Sequence, residues 1–118
     1  MSPVQRTLQH LREHGYTAAK AEYWNHFAKR RIDLLGFIDV VAVSDNHMLM
    51  IQTTDGEHFA AHIDKIMASP VARLEAKHCD VEVWSWSLRL TRDRRKDGLL
   101  NRKKEWLLRR EKVFQPQC

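Results

Sequence analysis

Cysteine is nearly missing from this sequence: Cys79 and Cys118 are the only two, and the second is the last residue. Two thiols placed in this way give no disulfide framework and suit a reducing compartment. Long apolar runs are missing as well. No stretch approaches the roughly 20 residues that a membrane-spanning helix needs, and the opening MSPVQRTLQHLREHG is a charged amphipathic pattern rather than a signal peptide. An intracellular protein with no membrane partner is therefore expected. Glycine is sparse. Gly15, Gly36, Gly56 and Gly98 form no phosphate-binding loop, and no serine or cysteine triad pattern is present. His58 and His62 stand four apart without an accompanying Glu-x-x-His, and His78 and Cys79 are adjacent rather than spaced as ligands, so no dedicated zinc site is expected.

What is there fits one domain. The chain has 118 residues, 43% of them hydrophobic and 30% charged, which suffices for a modest core without staples. Net charge is +5, and its distribution says more than its size. From Arg89 to Lys112 lie eleven of the twenty basic residues, against only Asp93, Asp97, Glu105 and Glu111. Such a basic extension, from about residue 89 onward, gains counterion-release energy on a polyanion, most simply DNA or RNA, although a charge run can also serve only as a solvated face.

Along the chain, Pro3 followed by Val4, Leu8 and Leu11 predicts a short amphipathic helix stopped at His14-Gly15. Tyr16 to Tyr23 reads as a strand, and Trp24 to Arg31 as a loop of mixed aromatic and basic character. Leu34 to Val43 is apolar on both faces, as a central strand covered from both sides must be. Ser44-Asp45-Asn46 supplies a turn, and His47 to Thr53 a second apolar strand, so a hairpin is expected. A helix follows from about Glu57 to Ser69, with Phe59, Ile63, Ile66 and Met67 on one face. Pro70 ends it and opens a short one. Asp80 to Leu88 alternates around Val81, Val83, Trp84 and Trp86 as a strand does, the tryptophan pair suiting a buried face. From Lys104 to Phe114 strand and helix fit equally, because Trp106-Leu107-Leu108 is compatible with both.

Asp39 is the residue that local propensity does not explain. A carboxylate inside Phe37-Ile38-Asp39-Val40-Val41 loses its hydration and needs a cation, a metal or hydrogen bonds in return. An ion pair with Arg30 or Arg31 is one answer. Another lies thirteen positions on, where Gln52 and Thr54, two apart on the next strand, point to one face and can converge on Asp39 if the register permits.

Helix, three-stranded meander, helix and strand, with an aspartate in the middle strand and a polar-x-polar triplet at the end of the next, resembles the PD-(D/E)XK nuclease core, in particular its Holliday-junction-resolvase-like and VRR-NUC-like members. The resemblance runs from Val4 to Leu88 and is closest in Leu35-Gly36-Phe37-Ile38-Asp39-Val40-Val41-Ala42. It implies an α/β (α+β) fold with a restriction-endonuclease-like αβββαβ core, a mixed central sheet flanked by helices. It also implies Mg2+ or Mn2+ held by Asp39, Gln52 and Thr53, the last through its carbonyl, and hydrolysis of DNA phosphodiesters. Asp39 matches the family's metal-binding aspartate, Gln52 its second acid and Thr54 its lysine. The last two depart from the pattern, which removes one formal negative charge and the lysine's positive one; Lys65 on the following helix, or Glu22, are candidates to complete the site.

The expectation is thus a nuclease-like protein acting on DNA, duplex or branched, or on RNA. Asp39, Gln52, Thr54 and Lys65 stand as catalytic candidates. Lys29, Arg30, Arg31, Arg92, Arg94, Arg95, Lys96, Arg102, Lys103 and Lys104 stand as phosphate contacts, Lys29 to Arg31 because that segment would border the cleft. A catalytically inactive nuclease-fold binding module, or a phage or mobile-element accessory protein, is the alternative. By family analogy the protein is a homodimer.

Overall fold

A computed structural model describes residues 1–21, 23–32, 34–94 and 100–114, and for 23–25, 31–32, 91–94 and 100–103 the path of the backbone only. Ser2 accepts from the Gln5 amide while the Gln5 side chain accepts from the Ser2 amide, a capping box that starts helix α1 (Pro3–Glu13). The helix stops where Gly15 takes φ +88°, a left-handed conformation that glycine adopts without strain. Strand β1 (Thr17–Lys20) follows.

The segment expected to be a loop is a small hairpin, β2 (Tyr23–Asn25) paired with β3 (Arg30–Ile32) as a separate two-stranded sheet. The long apolar run after it is only partly a strand. Leu35 and Gly36 take φ 55° and 83°, and Ile38 donates back to the Leu34 carbonyl at 3.0 Å, so 34–38 close on themselves. Apolar character there serves burial of Phe37 and Ile38 rather than extension, and β4 is confined to Val40–Val43.

From β4 the chain turns into β5 (Met48–Asp55), then passes through α2 (Phe59–Met67) and α3 (Pro70–Glu75) to β6 (Asp80–Arg94), and returns along β7 (Leu100–Val113). The resulting five-stranded sheet has the order β1-β4-β5-β6-β7; β5 and β6 are parallel, and every other neighbouring pair is antiparallel. The fold is therefore mixed α+β. The parallel pair requires a crossover, which α2 and α3 supply. Pro70 opens α3 with Ser69 as its side-chain cap, as the helix-stop reading of Pro70 anticipates.

The alternation of each strand divides the core between two faces. On one, Leu11 of α1 meets Val40, Ala42, Leu49, Ile51 and Trp84. On the other, Phe59 and Ile66 of α2 meet Met50, Val81, Val83 and Val113. Met67, expected on the same stripe, is exposed. Among the described residues no helix is long and apolar enough to cross a membrane.

The last two strands outrun the sheet. β5 pairs with β6 only as far as Asp55 opposite Trp86, whereas β6 and β7 stay paired from Val81 with Val113 to Arg94 with Leu100. Eight register pairs, Ser87 with Leu107 to Arg94 with Leu100, thus form a two-stranded ribbon without a third strand, about 26 Å long at roughly 3.3 Å per residue. The radius of gyration, 16.9 Å, exceeds the value of about 13.5 Å for a compact domain of this length, as a protruding ribbon requires.

Candidate functional site

Asp39 sits at the entry to β4, 8% exposed. Its amide donates to the carbonyl of Ile51, the residue that also faces Val40 in the ladder, so two residues oppose one as at a β-bulge. A bulge re-aims the side chain. The Asp39 carboxylate turns onto Thr53, whose amide and hydroxyl donate to Oδ2 at 2.8 and 3.1 Å.

Gln52 and Thr54 lie on either side of that contact in β5, 3% and 6% exposed, and by alternation they share the α2 face with Met50. The structure brings Asp39 and Thr53 together. It leaves Gln52 Oε1 buried and without a hydrogen-bond partner among the described residues. Lys65 is exposed in the last turn of α2. Glu22 lies outside the described residues.

For the divalent ion implied by the resemblance, the donor set is lean. It consists of one carboxylate with an oxygen already engaged, one orphaned amide oxygen and backbone carbonyls. No group of three or more His, Cys, Asp or Glu side chains gathers among the described residues. Magnesium is commonly held by one or two carboxylates while keeping several waters, and Asp39, turned onto Thr53 rather than onto Gln52 or Thr54, is the one carboxylate of the set. Access is the tighter constraint, because Asp39, Gln52 and Thr54 are all less than a tenth exposed.

The basic candidates divide by position. Lys29 and Arg30 are exposed at the β2–β3 turn, Lys29 at φ 51°. Arg31 lies in β3, Arg92 and Arg94 in β6, and Arg102 and Lys103 in β7, all with only the backbone described, while Lys104 is exposed on β7. Arg95 and Lys96 lie outside the described residues. Pairing places Thr91 opposite Lys103, Leu90 opposite Lys104 and Arg92 opposite Arg102. Like charges directly across a ladder repel, as Arg92 and Arg102 do, while Glu105 opposite Arg89 is the one acid that faces a ribbon base in the register. No protein-family model, no curated protein and no solved structure matches this chain.

Near the root of the ribbon the α1 face is apolar and partly open. Leu88, Leu90 and Trp106 are 47%, 51% and 44% exposed, and the Arg6 guanidinium lies 3.7 Å from the Trp106 ring centroid. Trp86 is anchored by its indole N–H to Thr7 Oγ1 at 2.9 Å. Trp84 is fully buried, so the tryptophan pair is scaffold.

Two polar groupings escaped the sequence reading. Glu82, 5% exposed, accepts from Arg110 Nε at 2.8 Å, from a second Arg110 nitrogen at 3.0 Å and from the Trp84 indole at 3.1 Å. At the other end of the sheet, the Tyr16 hydroxyl bonds His47 Nδ1 at 2.6 Å, His47 Nε2 bonds Asp80, and Lys112 Nζ stands 2.8 Å from Asp80. Lys112 and then His47 hold the Asp80 carboxyl below its usual range. Both groupings join residues distant in sequence, so only the strand pairing reveals them; the sole local signal was an acid within Val81-Glu82-Val83.

Proposed function

We propose that this chain is a nucleic-acid-binding protein of nuclease-like build, holding phosphates along the β6–β7 ribbon. The carrying observation is the ribbon itself. Over its eight unsupported pairs it bears Arg89, Arg92, Arg94, Arg102, Lys103 and Lys104 against only Asp93 and Glu105. An isolated two-stranded ribbon is marginal in water. A polyanion laid along it relieves the repulsion and releases its own counterions, and the major groove of duplex DNA is wide enough to admit such a ribbon.

The order of elements supports the nuclease-like build. If β2 and β3 are taken as an insertion, α1, β1, β4, β5, the α2–α3 crossover and β6 run in the αβββαβ order of a restriction-endonuclease-like core, with Asp39 at the start of the second strand and Gln52 late in the third. Fluorescence anisotropy with labelled duplex, branched and single-stranded DNA tests the binding. Saturable association that weakens as salt rises is expected, and no association with any of them at low salt overturns it.

A second reading, metal-dependent phosphodiester hydrolysis, is favoured by one observation: the orphaned Gln52 Oε1, an oxygen a cation would satisfy. Asp39, Gln52 Oε1 and the Thr53 carbonyl would hold the ion, which when bound supplies charge stabilisation to phosphoryl oxygens and an activated water. Against it stand the burial of the three side chains and the absence of a lysine at Thr54. Cleavage of DNA in Mg2+ or Mn2+ that disappears in Asp39→Ala would establish this reading; cleavage that survives the substitution would move the chemistry elsewhere.

A further inference from the structure

Where β5 ends and the ribbon leaves the sheet, a cavity of about 380 Å3 opens over β6 and β7; Gly56, Ser85, Ser87, Arg89, Leu107 and Arg109 are among its lining. Ser85 is 2% exposed and Ser87 half-buried, and both border the opening. Arg89 and Arg109 make no ion pair among the described residues, although Glu105 faces Arg89 in the ladder. The Arg109 guanidinium is held in place instead by the Phe59 ring, 4.1 Å from its centroid. Gly56 keeps the floor open: a Cβ there would stand 3.8 Å from Ser85 Oγ and from Ser87 Cβ. Residues Gly56 to His58 then lead into α2, where the His58 amide donates to Asp55 Oδ1 at 2.9 Å and the His58 side chain forms no cap.

Two exposed guanidiniums, two hydroxyls and an opening beside a glycine make a receptor for a compact polyoxygen anion. Guanidinium offers paired donors to two oxygens at once, and hydroxyls donate to the others. We propose that this cavity is a phosphate subsite that seats one backbone phosphate of a nucleic acid lying along the ribbon. Arg89 and Arg109 clamp the phosphate from the two strands, and Ser85 and Ser87 bond it from below. The identity of the phosphate donor rests on the nucleic-acid reading; the affinity for phosphate does not. The subsite sits on the same sheet face as Gln52 and Thr54, and Thr54 pairs directly with Ser85, so it fixes which end of the sheet a bound strand must pass.

The test uses the full chain and inorganic phosphate, followed by amide chemical shifts at constant ionic strength, with chloride as the control. Saturable shifts centred on Gly56, Ser85 and Ser87 are expected. They should vanish in the Arg89→Ala/Arg109→Ala double variant and weaken in Gly56→Ala, whose added methyl occupies the gap without removing a charge; thermal melts report whether each variant folds. Shifts identical with chloride, or unchanged in the folded variants, overturn the subsite. A short DNA duplex separates this inference from its foundation. If phosphate binds here but the duplex neither binds nor competes, the subsite stands and the nucleic-acid reading falls. If the duplex binds with its full salt dependence in the double variant, the subsite falls and the reading stands. The expected result is that the double variant loses about one unit of salt slope, as befits one phosphate.

Discussion

The Asp39 cluster and the root of the ribbon treat polar groups in opposite ways. At Asp39 the bulge turns the carboxylate onto the Thr53 amide and hydroxyl, so the fold supplies partners for a charge it has buried. At the ribbon root the exposed guanidiniums of Arg89 and Arg109 border a cavity and form no ion pair among the described residues. Buried polar groups that pair within the chain hold the chain together. Exposed cations left unpaired at an opening can meet an outside anion.

If that contrast is right, substitutions at the two places fail differently. The largest effect belongs to the ribbon. Exchanging Arg92, Arg102, Lys103 and Lys104 for serine together should weaken duplex binding on the order of a hundredfold at moderate salt, with little change in melting temperature. Anisotropy and calorimetry on the same samples check both halves.

Next comes Asp39→Ala, which strips the Thr53 amide of its acceptor and should lower stability by about 2 kcal/mol. Denaturant unfolding reads this as a fall in midpoint, whereas binding per folded molecule should stay within twofold. Equal loss of binding would move Asp39 from scaffold into the interface.

A smaller effect is expected of Glu82→Gln. Arg110 is 43% exposed and so keeps much of its hydration; with that screening, loss of the charged pair should lower stability by about 1 kcal/mol.

The smallest effect concerns pH. Lys112 and His47 depress the Asp80 carboxyl. Its contribution to stability is therefore fully present above the unfolded carboxylate value, near 3.9, and is lost as pH falls through the lower folded one. Asp80→Asn should flatten the stability profile only below about pH 4, and a change confined to neutral pH would contradict the assignment.

How much of this was legible in the sequence depends on where each pattern is decided. Helix α1 was, because its start and stop are written locally in Ser2-Pro3 and Gly15. So were the β4–β5 hairpin and the helix stop at Pro70. The run Leu34 to Val43 misled because hydrophobicity reports burial, not extension, and Leu35-Gly36 in left-handed backbone folds half of it into a turn. Trp24 to Arg31 has no period to give away its pairing as β2 and β3. β7 was ambiguous from sequence, since Trp106-Leu107-Leu108 suits either period; its long-range register with β6 settles it as a strand.

Within the candidate site, the burial of Asp39 was foreseeable from its apolar neighbours, Phe37-Ile38 and Val40-Val41. The bulge that sends Asp39 to Thr53 was not, because it depends on one residue of register between two strands. Nor was the cavity at the ribbon root. Gly56, Ser85 and Arg109 are far apart in sequence and meet only through the parallel and antiparallel pairings of β6.

The most direct test of the ribbon as a nucleic-acid contact is the affinity for a DNA duplex across a salt series, for the unaltered chain and the fourfold ribbon variant. A steep linear fall of log affinity with log salt is predicted, shallower in the variant by about 3 to 4 units of slope. A flat response in the unaltered chain, or the same slope in both, would contradict it.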